Sequence, residues 1–515
     1  MANRKDITRR EMLSRSAASA LLAASAGTQA EGPPRPINVL YINTDQQRWD
    51  AMSCAGSPFV KTPNMDRLAR EGLRFTRAYT PQPMCTPART CIMTGLSIHT
   101  SGCVTNTEAT QGGPMDFRGG SFDQHLAKLG YHCEYHGRYH SPMALTDAYA
   151  NTVTLDFIGP YKARLLERLG EAPAPMPGQY VNYLSGWPYT PDPPDFNYRK
   201  TINKPPLHGV EGVHYGVDAT PPELSYSAFV ADETIDALRR NKDKPFCITS
   251  AYLHPHHPQY VPQGWTDRVK PADMRPPDTM RDRRENTPWA DWAWQIDDLD
   301  MENMALLHAR YYQLVEETDY HIGRVLHALD ELDLTDNTLV VFLSDHGEFL
   351  GWHGLMQKFL PYEDSVRVPY IMRLPGVIAA GSKVDHVVNL MDTLATICDY
   401  LGIAPTAQEG HSLRPLAEGR GGDYPEFTLS EFGWEQGYTM FASEEWKYVW
   451  TGPAETMDVL FNLKDDPLET TNLLGKHPER EKYLPEVRRI RAAMAGWMEG
   501  IGHKYRERLL KSEIG

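Results

Sequence analysis

The sequence predicts an α/β fold in which helices sandwich a large, mainly parallel sheet, followed by a smaller C-terminal antiparallel α+β domain. Three observations predict it. Short apolar runs of buried-strand character alternate with stretches of helical spacing over most of the chain. Several of those runs stop abruptly in polar clusters, as strands of an open parallel sheet do where ligands bind beyond their carboxyl ends. From about Pro415 onward the pattern changes to short strand-like pieces at hairpin spacing and one long helix. With 515 residues the chain has room for one large and one small domain, which we divide as 35–414 and 415–515.

Composition narrows the function classes. There are 67 Asp and Glu against 52 Lys and Arg, a formal net charge of −15, which argues against a protein built to hold nucleic-acid phosphates on a basic face. Apolar residues at 41% and charged residues at 23% are ordinary for a packed globular chain and exclude wholesale disorder. No apolar run approaches the roughly 20 residues of a membrane-spanning helix, so stable membrane insertion is not expected.

The elements follow in order. Thr8-Arg9-Arg10-Glu11-Met12-Leu13 precedes the short Ala-rich stretch Ala17 to Ala26, and Thr28-Gln29-Ala30 offers small residues for cleavage. Residues 1–30 thus read as a twin-arginine export signal, which would mean the periplasm and folding before export; the plainer reading is a disordered basic leader that stays on. Ile37 to Ile42 is a strand that stops at Asn43-Thr44-Asp45-Gln46. In Pro83 to Thr90, Thr86 can cap a helix with Pro87 at its first position, setting Cys85 at the positive end of the dipole and Arg89 one turn on. A cysteine there would be acidic and reactive; the plainer reading is a buried structural thiol. Ser121 to Leu129 is a helix closed by Gly130. Tyr131 to Tyr135 is a strand running toward Gly137-Arg138-Tyr139-His140. Ala172 to Pro206 and Asp267 to Pro288, rich in proline, read as surface excursions rather than core. Pro245 to Tyr252 runs into His254-Pro255-His256-His257, Ala305 to Leu329 carries helical spacing, and Thr338 to Leu343 ends at Ser344-Asp345-His346-Gly347-Glu348. In the last hundred residues, strand-like pieces at Phe427 to Leu429, Thr439 to Phe441, Lys447 to Trp450 and Val459 to Leu463 precede a helix over Glu486 to Leu510, with Pro485 in its first turn.

Four strand ends carry side chains suited to one site: Asp45 and Gln46, Arg138 and His140, His254 and His256, Asp345 and His346. Singly, each Asp is as well explained by a helix cap. Together, two carboxylates, an amide oxygen and an imidazole could converge on a divalent cation, and oxygen ligands favour Ca²⁺, Mg²⁺ or Mn²⁺. The seven cysteines include no C-x-x-C pair and no zinc-like spacing. A soft thiolate sits poorly beside hard oxygen ligands, so an oxygen-bearing derivative of Cys85 would fit better.

Cys85-Thr86-Pro87-Ala88-Arg89 is similar to the C-x-P-x-R signature of the type I sulfatases, within the alkaline-phosphatase-like superfamily. The likeness extends through Thr62 to Ala69, Phe342 to Glu348 and Arg367-Val368-Pro369 to Leu463 to Thr470. The resemblance implies that a maturation enzyme oxidises Cys85 to formylglycine, whose hydrate is the nucleophile. It implies that Asp45, Gln46, Asp345 and His346 hold one divalent metal, Ca²⁺ first with Mn²⁺ or Mg²⁺ as alternatives, together with the modified Cys85. Arg89 would hold the hydrate, and His140 would take its second proton to expel the covalent sulfate. Arg138, His256 and Lys358 would grip the sulfate, with His256 or Lys358 protonating the leaving oxygen; Asn106 would touch the same oxygens. Taken one at a time, Arg138 reads as a surface salt bridge, the histidines as hydrogen-bonded loop residues and Lys358 as a solvated lysine.

This chain departs from the usual pattern, with Gln46 in place of Asp, His346 in place of Asn and Arg138 in place of Lys. Gln46 removes charge from the metal shell and His346 adds a nitrogen ligand. The same Asp-Gln and Asp-His pairs occur in relatives that cleave phosphonate monoesters and phosphodiesters, and in choline sulfatases. The expected function is an exported sulfatase acting on sulfated carbohydrate or another small sulfate ester. The alternatives are a phosphonate monoester or phosphodiester hydrolase and, from another class, a catalytically silent glycan-binding protein.

Overall fold

The computed structural model describes residues 36–110, 115, 117–143, 158–174, 180–181, 188–191, 215–291, 301–404, 408–433, 437–452 and 456–514. The expected export signal lies outside the described residues. The strands in chain order are β1 (Asn38–Asp45), β2 (Leu73–Tyr79), β3 (His132–Gly137), β4 (Tyr180–Val181), β5 (Pro188–Pro191), β6 (Tyr215–Asp218), β7 (Phe246–Pro255), β8 (Gln259–Pro262), β9 (Thr338–Ser344), β10 (Arg367–Arg373), β11 (Ser382–Asn389), β12 (Thr428–Phe432), β13 (Tyr438–Ala442), β14 (Trp446–Trp450) and β15 (Val459–Asn462). The helices used below are α1 (Pro63–Glu71), α2 (Cys85–Thr94), α3 (Phe122–Lys128), α4 (Ile158–Leu169), α5 (Tyr226–Asn241), α6 (Met301–Glu331), α7 (Asp392–Tyr400), α8 (Arg480–Gly500) and α9 (Arg506–Lys511).

Among the described residues, seven strands form the main sheet in the order β11-β2-β10-β9-β1-β7-β3. It is mainly parallel, as expected: β1 pairs parallel with β7 and β9, β3 with β7, and β11 with β2, whereas β10 runs antiparallel to β9 and β2. Alternation along β1 shows how the sequence builds two cores. Val39 and Tyr41 face one side, where α2, α3 and α7 bring Ile92, Phe122, Leu126, Leu394 and Ile397. Leu40 and Ile42 face the other, where α1, α4, α5 and α6 bring Met65, Leu68, Leu165, Phe229 and Val325. A strand apolar on both faces needs helices on both sides, which is why these runs read as continuous rather than alternating.

The C-terminal strands pair antiparallel in the order β12-β13-β14-β15. One face, with Phe441, Tyr448 and Leu460, packs on Val487, Ile490 and Met494 of α8. The other, with Tyr438, Met440 and Val449, packs on Phe349, Leu355, Leu360 and Tyr362.

Two expectations are corrected, and one is filled in. The C-terminal helix begins at Arg480, not Glu486, and carries Pro485 inside it; it ends at Gly500, and α9 follows after Gly502, whose φ of 67° breaks the run. Asp267 to Pro288 is not only a surface excursion, because Val269, Met274 and Met280 are buried with Tyr311 and Leu307 of α6. Within the stretch Ala172 to Pro206, β4 and β5 belong to a further small sheet ordered β4-β5-β6-β8. The strand segments there are too short to carry a periodic signal.

Candidate active site

The strand order sets the site. β9, β1, β7 and β3 are consecutive and parallel, so the four polar clusters at their carboxyl ends lie side by side. Thr44 of β1 is paired with Ser344 of β9, which brings Asp45 next to Asp345. Gly347 then passes so close to Asp364 that a Cβ would meet its carbonyl oxygen at 2.0 Å, so only glycine lets the chain turn there.

Asp45, Cys85, Asp345 and His346 are fully buried, and each offers one ligand atom within 4.8 Å of the others. Arg89, one turn into α2, bridges the two carboxylates, with Nε 2.8 Å from Asp345 Oδ2 and a terminal nitrogen 3.0 Å from Asp45 Oδ2. Its other terminal nitrogen donates to the Arg138 carbonyl at 2.7 Å, and Tyr135 donates to that same carbonyl at 2.8 Å, fixing the chain after β3. Arg138 Nε lies 3.3 Å from Asp45 Oδ2. Burial opposes ionisation of both carboxyls. Arg138 and Arg89 nonetheless hold Asp45 well below the usual carboxylate range, while burial and the charge of Asp45 push Asp345 up to about 7.

The histidine tautomers follow from their partners. His346 Nδ1 lies 3.0 Å from the Gly347 carbonyl, which can only accept, so that nitrogen carries the proton. Nε2 therefore presents a bare lone pair, 3.6 Å from Asp45 Oδ1 and 3.7 Å from Asp345 Oδ1. Lone pair and carboxylate oxygens facing one another repel, and a cation among them removes that repulsion. The donor set accordingly fits a divalent metal. His256 Nδ1 is 2.5 Å from the His257 carbonyl, again leaving Nε2 bare, 4.0 Å from Asp45 Oδ1. His140 Nδ1 instead accepts from Arg138 at 3.0 Å. All three rings are held neutral, first by burial; Arg138 adds to this at His140, His257 and Lys358 at His256, and Lys358 at His346.

Lys358 reaches in from the loop before β10, with Nζ 2.5 Å from Gln46 Oε1 and 3.6 Å from Cys85 Sγ. Gln46 has left-handed backbone, φ 67°, held by its N–H to Asp345 Oδ1 at 3.1 Å and its carbonyl to Tyr311 Oη at 2.8 Å. Asn106 does not point away from the cluster: its Oδ1 accepts the Thr86 N–H at 3.0 Å. Eleven of the twelve residues singled out in the sequence thus gather around one largely buried pocket of charge; His254 does not, its Nδ1 lying 3.2 Å from Ser227 Oγ and 3.6 Å from Glu317.

Two local expectations fail. The helix starts at Cys85 with Met84 as its cap, so Thr86 is not the capping residue. The Cys85 thiol is not acidic: burial and then Asp45 push it up to about 11, and these outweigh the nearby cations Lys358 and Arg138. One residue was missed. Glu348, buried, accepts from the Gln46 side-chain amide and from the backbone N–H groups of Leu350 (2.9 Å) and Gln357 (2.5 Å), tying Gln46 to the Lys358 loop. Its only sequence signal is a second carboxylate two residues after His346.

Fold and site define a hydrolase of the alkaline-phosphatase-like superfamily. Within it the chain belongs to the sulfatase family, whose model, described as Sulfatase, matches residues 37–403. A second model, N-sulphoglucosamine sulphohydrolase, C-terminal, matches residues 351–489. The chain is 29% identical to an arylsulfatase of Clostridium perfringens, covering 87% of this chain and 93% of that one. It is 25% identical to an N-acetylglucosamine-6-O-sulfatase of Bacteroides thetaiotaomicron, covering 90% and 88%. It shares its fold with the phosphonate monoester hydrolase of Agrobacterium radiobacter, at a TM-score of 0.73 and 24% identity over 90% of this chain and 96% of that one. No helix among the described residues is long and apolar enough to cross a membrane.

Proposed function

We propose that the protein hydrolyses sulfate monoesters, on sulfated carbohydrates, after export to the periplasm behind the leader 1–30. The observation that carries this reading is the convergence of Arg89, Arg138 and Lys358 on a buried cluster of two carboxylates, a cysteine and a bare imidazole nitrogen. Three permanent or near-permanent cations around one point are what a compact tetrahedral anion needs if a nucleophile is to approach it. Residues 35–414 supply this catalytic part in our reading, with 415–515 as the smaller α+β part.

Formylglycine made from Cys85 by a maturation enzyme would supply, as its hydrate, an oxygen nucleophile in place of a thiol of high pKa. A divalent ion, Ca²⁺ in the first instance, held by Asp45, Gln46, Asp345, His346 and residue 85, would supply positive charge at the reacting oxygens. The chain's own side chains do the rest. Arg138 offers a planar fork that can hold two oxygens of the anion. Once it does so, it releases His140 Nδ1, whose lone pair can then accept a proton from the nucleophile. Of the two candidates for protonating the leaving oxygen, Lys358 fits better, because His256 carries its ring proton on Nδ1, turned to the His257 carbonyl. His256 Nε2 is left to accept from the substrate. Arg89, locked between Asp45 and Asp345, keeps the two carboxylates apart and oriented, and can hold the nucleophile with them.

A second reading, phosphonate monoester or phosphodiester hydrolysis, rests on Gln46 and His346 and on the shared fold with a phosphonate monoester hydrolase. Kinetics on matched aryl sulfate, aryl phosphonate and sulfated oligosaccharide substrates test the choice. We expect the sulfates to have the higher kcat/KM. A phosphonate preference of about ten-fold, or about 1.4 kcal/mol in the barrier, would overturn the first reading in favour of the second.

A further inference from the structure

Lys358 occupies a loop that is neither helix nor strand, yet its ammonium sits between Gln46 and Cys85. The residues on either side of it are not glycine and have left-handed backbone, with φ of 72° at Gln357 and 95° at Phe359. Such conformations are strained and persist where the surroundings over-determine them. Those surroundings are the inner face of the C-terminal sheet. Tyr438 Oη, on β13, donates to the Phe359 carbonyl at 2.9 Å. Lys447 Nζ, on β14, donates to the Pro361 carbonyl at 3.1 Å and lies 2.7 Å from both Glu363 and Glu469. Glu469 also accepts the Glu363 N–H at 2.7 Å.

We propose that Tyr438 and Lys447 are positioning residues that act through Lys358, so that the C-terminal sheet sets the geometry of the catalytic lysine. The proposal rests on the reading of Lys358 given above and assigns a catalytic consequence to a part of the chain that contributes none of the eleven site residues. Two features favour this over simple stability. Lys447 is fully buried with two carboxylates, an arrangement that gains little over apolar packing of the same shape and is better explained by the register it imposes. Tyr438 is already packed against Phe432 and Trp289, so its hydroxyl is not needed to fill space.

The test is a double-mutant cycle in the full chain, with 4-nitrophenyl sulfate and a 4-nitrophenyl phosphonate monoester as probes. Tyr438→Phe should fold with nearly native thermal stability and lose about ten-fold or more in kcat/KM. In a Lys358→Ala background the same change should cost less than about two-fold, because the side chain it positions is gone. Lys447→Met leaves Glu363 and Glu469 without their buried cation, so it should lose thermal stability as well as kcat/KM, and Tyr438→Phe carries the test. Native turnover by Tyr438→Phe, or an equal loss in both backgrounds, overturns the proposal. A crystal structure of Tyr438→Phe decides it independently of turnover: displacement of Lys358 Nζ from Gln46 Oε1 supports it, and an unmoved Nζ overturns it. If neither ester is turned over, or Lys358→Ala is as active as native, the functional reading fails while that structure still judges the positioning.

Discussion

Nε2 of His346 lies 3.1 Å from the sulfur of Cys85, with the ring proton committed on the far side to the Gly347 carbonyl. The sulfur is therefore the only hydrogen source in that contact, and a thiol whose pKa stands near 11 keeps it. An unmodified Cys85 is a poor nucleophile here. We expect active protein to carry an aldehyde or its hydrate at position 85, detected by peptide mass spectrometry. Cys85→Ala should fold and lose turnover. Fully active protein holding only cysteine at this position would rule out the mechanism.

The metal cluster makes a separate prediction. Asp45 and Asp345 supply its two carboxylates, so Asp45→Asn or Asp345→Asn should abolish metal binding and turnover together. A ligand that binds only the folded state adds about 2.7 kcal/mol at one hundred times its Kd. Native protein should therefore gain thermal stability on adding Ca²⁺ and lose activity on chelation, while both variants should show no gain. Equal stabilisation of native and variant proteins would show that the strand-end carboxylates are only structural.

Arg89 is the group whose loss should be felt in the fold as well as in the reaction. Its guanidinium is almost fully buried between two buried carboxylates. Removing one partner of such an arrangement leaves uncompensated charge, at a cost of about 3–5 kcal/mol. Arg89→Met should show that loss in urea unfolding, and added divalent metal should recover part of it by neutralising the same two carboxylates. A loss below about 1 kcal/mol would mean that Asp345 takes up a proton and relieves the pair on its own.

How far the sequence reached depended on how local each signal was. Strand-end polar residues were legible because an apolar run that stops at Asp or His marks the carboxyl edge of a parallel sheet, and β9, β1, β7 and β3 are adjacent there. The eleven candidate residues are named in this way or through the likeness to the C-x-P-x-R family. What could not be read were effects made by distant packing. The high pKa of Cys85 arises from burial and from Asp45, forty residues away, neither of which a local reading of the helix start contains. Glu348 acquires its role only because the chain after β9 folds back on Gln46. The brace on Lys358 comes from Tyr438 and Lys447, residues that in sequence look like ordinary strand positions. Proline favours a helix's first turn, so Pro485 reads as a start, but tertiary packing of α8 on the C-terminal sheet carries the helix through it.

The last prediction concerns Asp319, which is none of the eleven candidate site residues. From the middle of α6 its carboxylate accepts the N–H groups of Asn64 at 3.2 Å and Met65 at 2.8 Å, and the Asn64 side-chain amide at 2.9 Å, so one helix caps the first turn of another. Burial pushes its pKa up from the ordinary 3.8 to about 7, with Asp66 adding to the effect. The sign follows from proton linkage. A carboxyl with a raised folded-state pKa binds its proton more tightly in the folded chain, so its contribution to stability is fully present below the ordinary pKa and is lost as pH rises through about 7. Asp319→Asn cannot titrate. Its stability relative to native protein should therefore improve between about pH 5 and about pH 8, by at least about 1.4 kcal/mol, the worth of one pKa unit. Urea unfolding of both proteins across that range measures the difference, in which every other titrating group cancels. A constant difference would show that the Asn64 and Met65 donors hold the Asp319 carboxylate ionised throughout, and that its burial costs the fold nothing as pH rises.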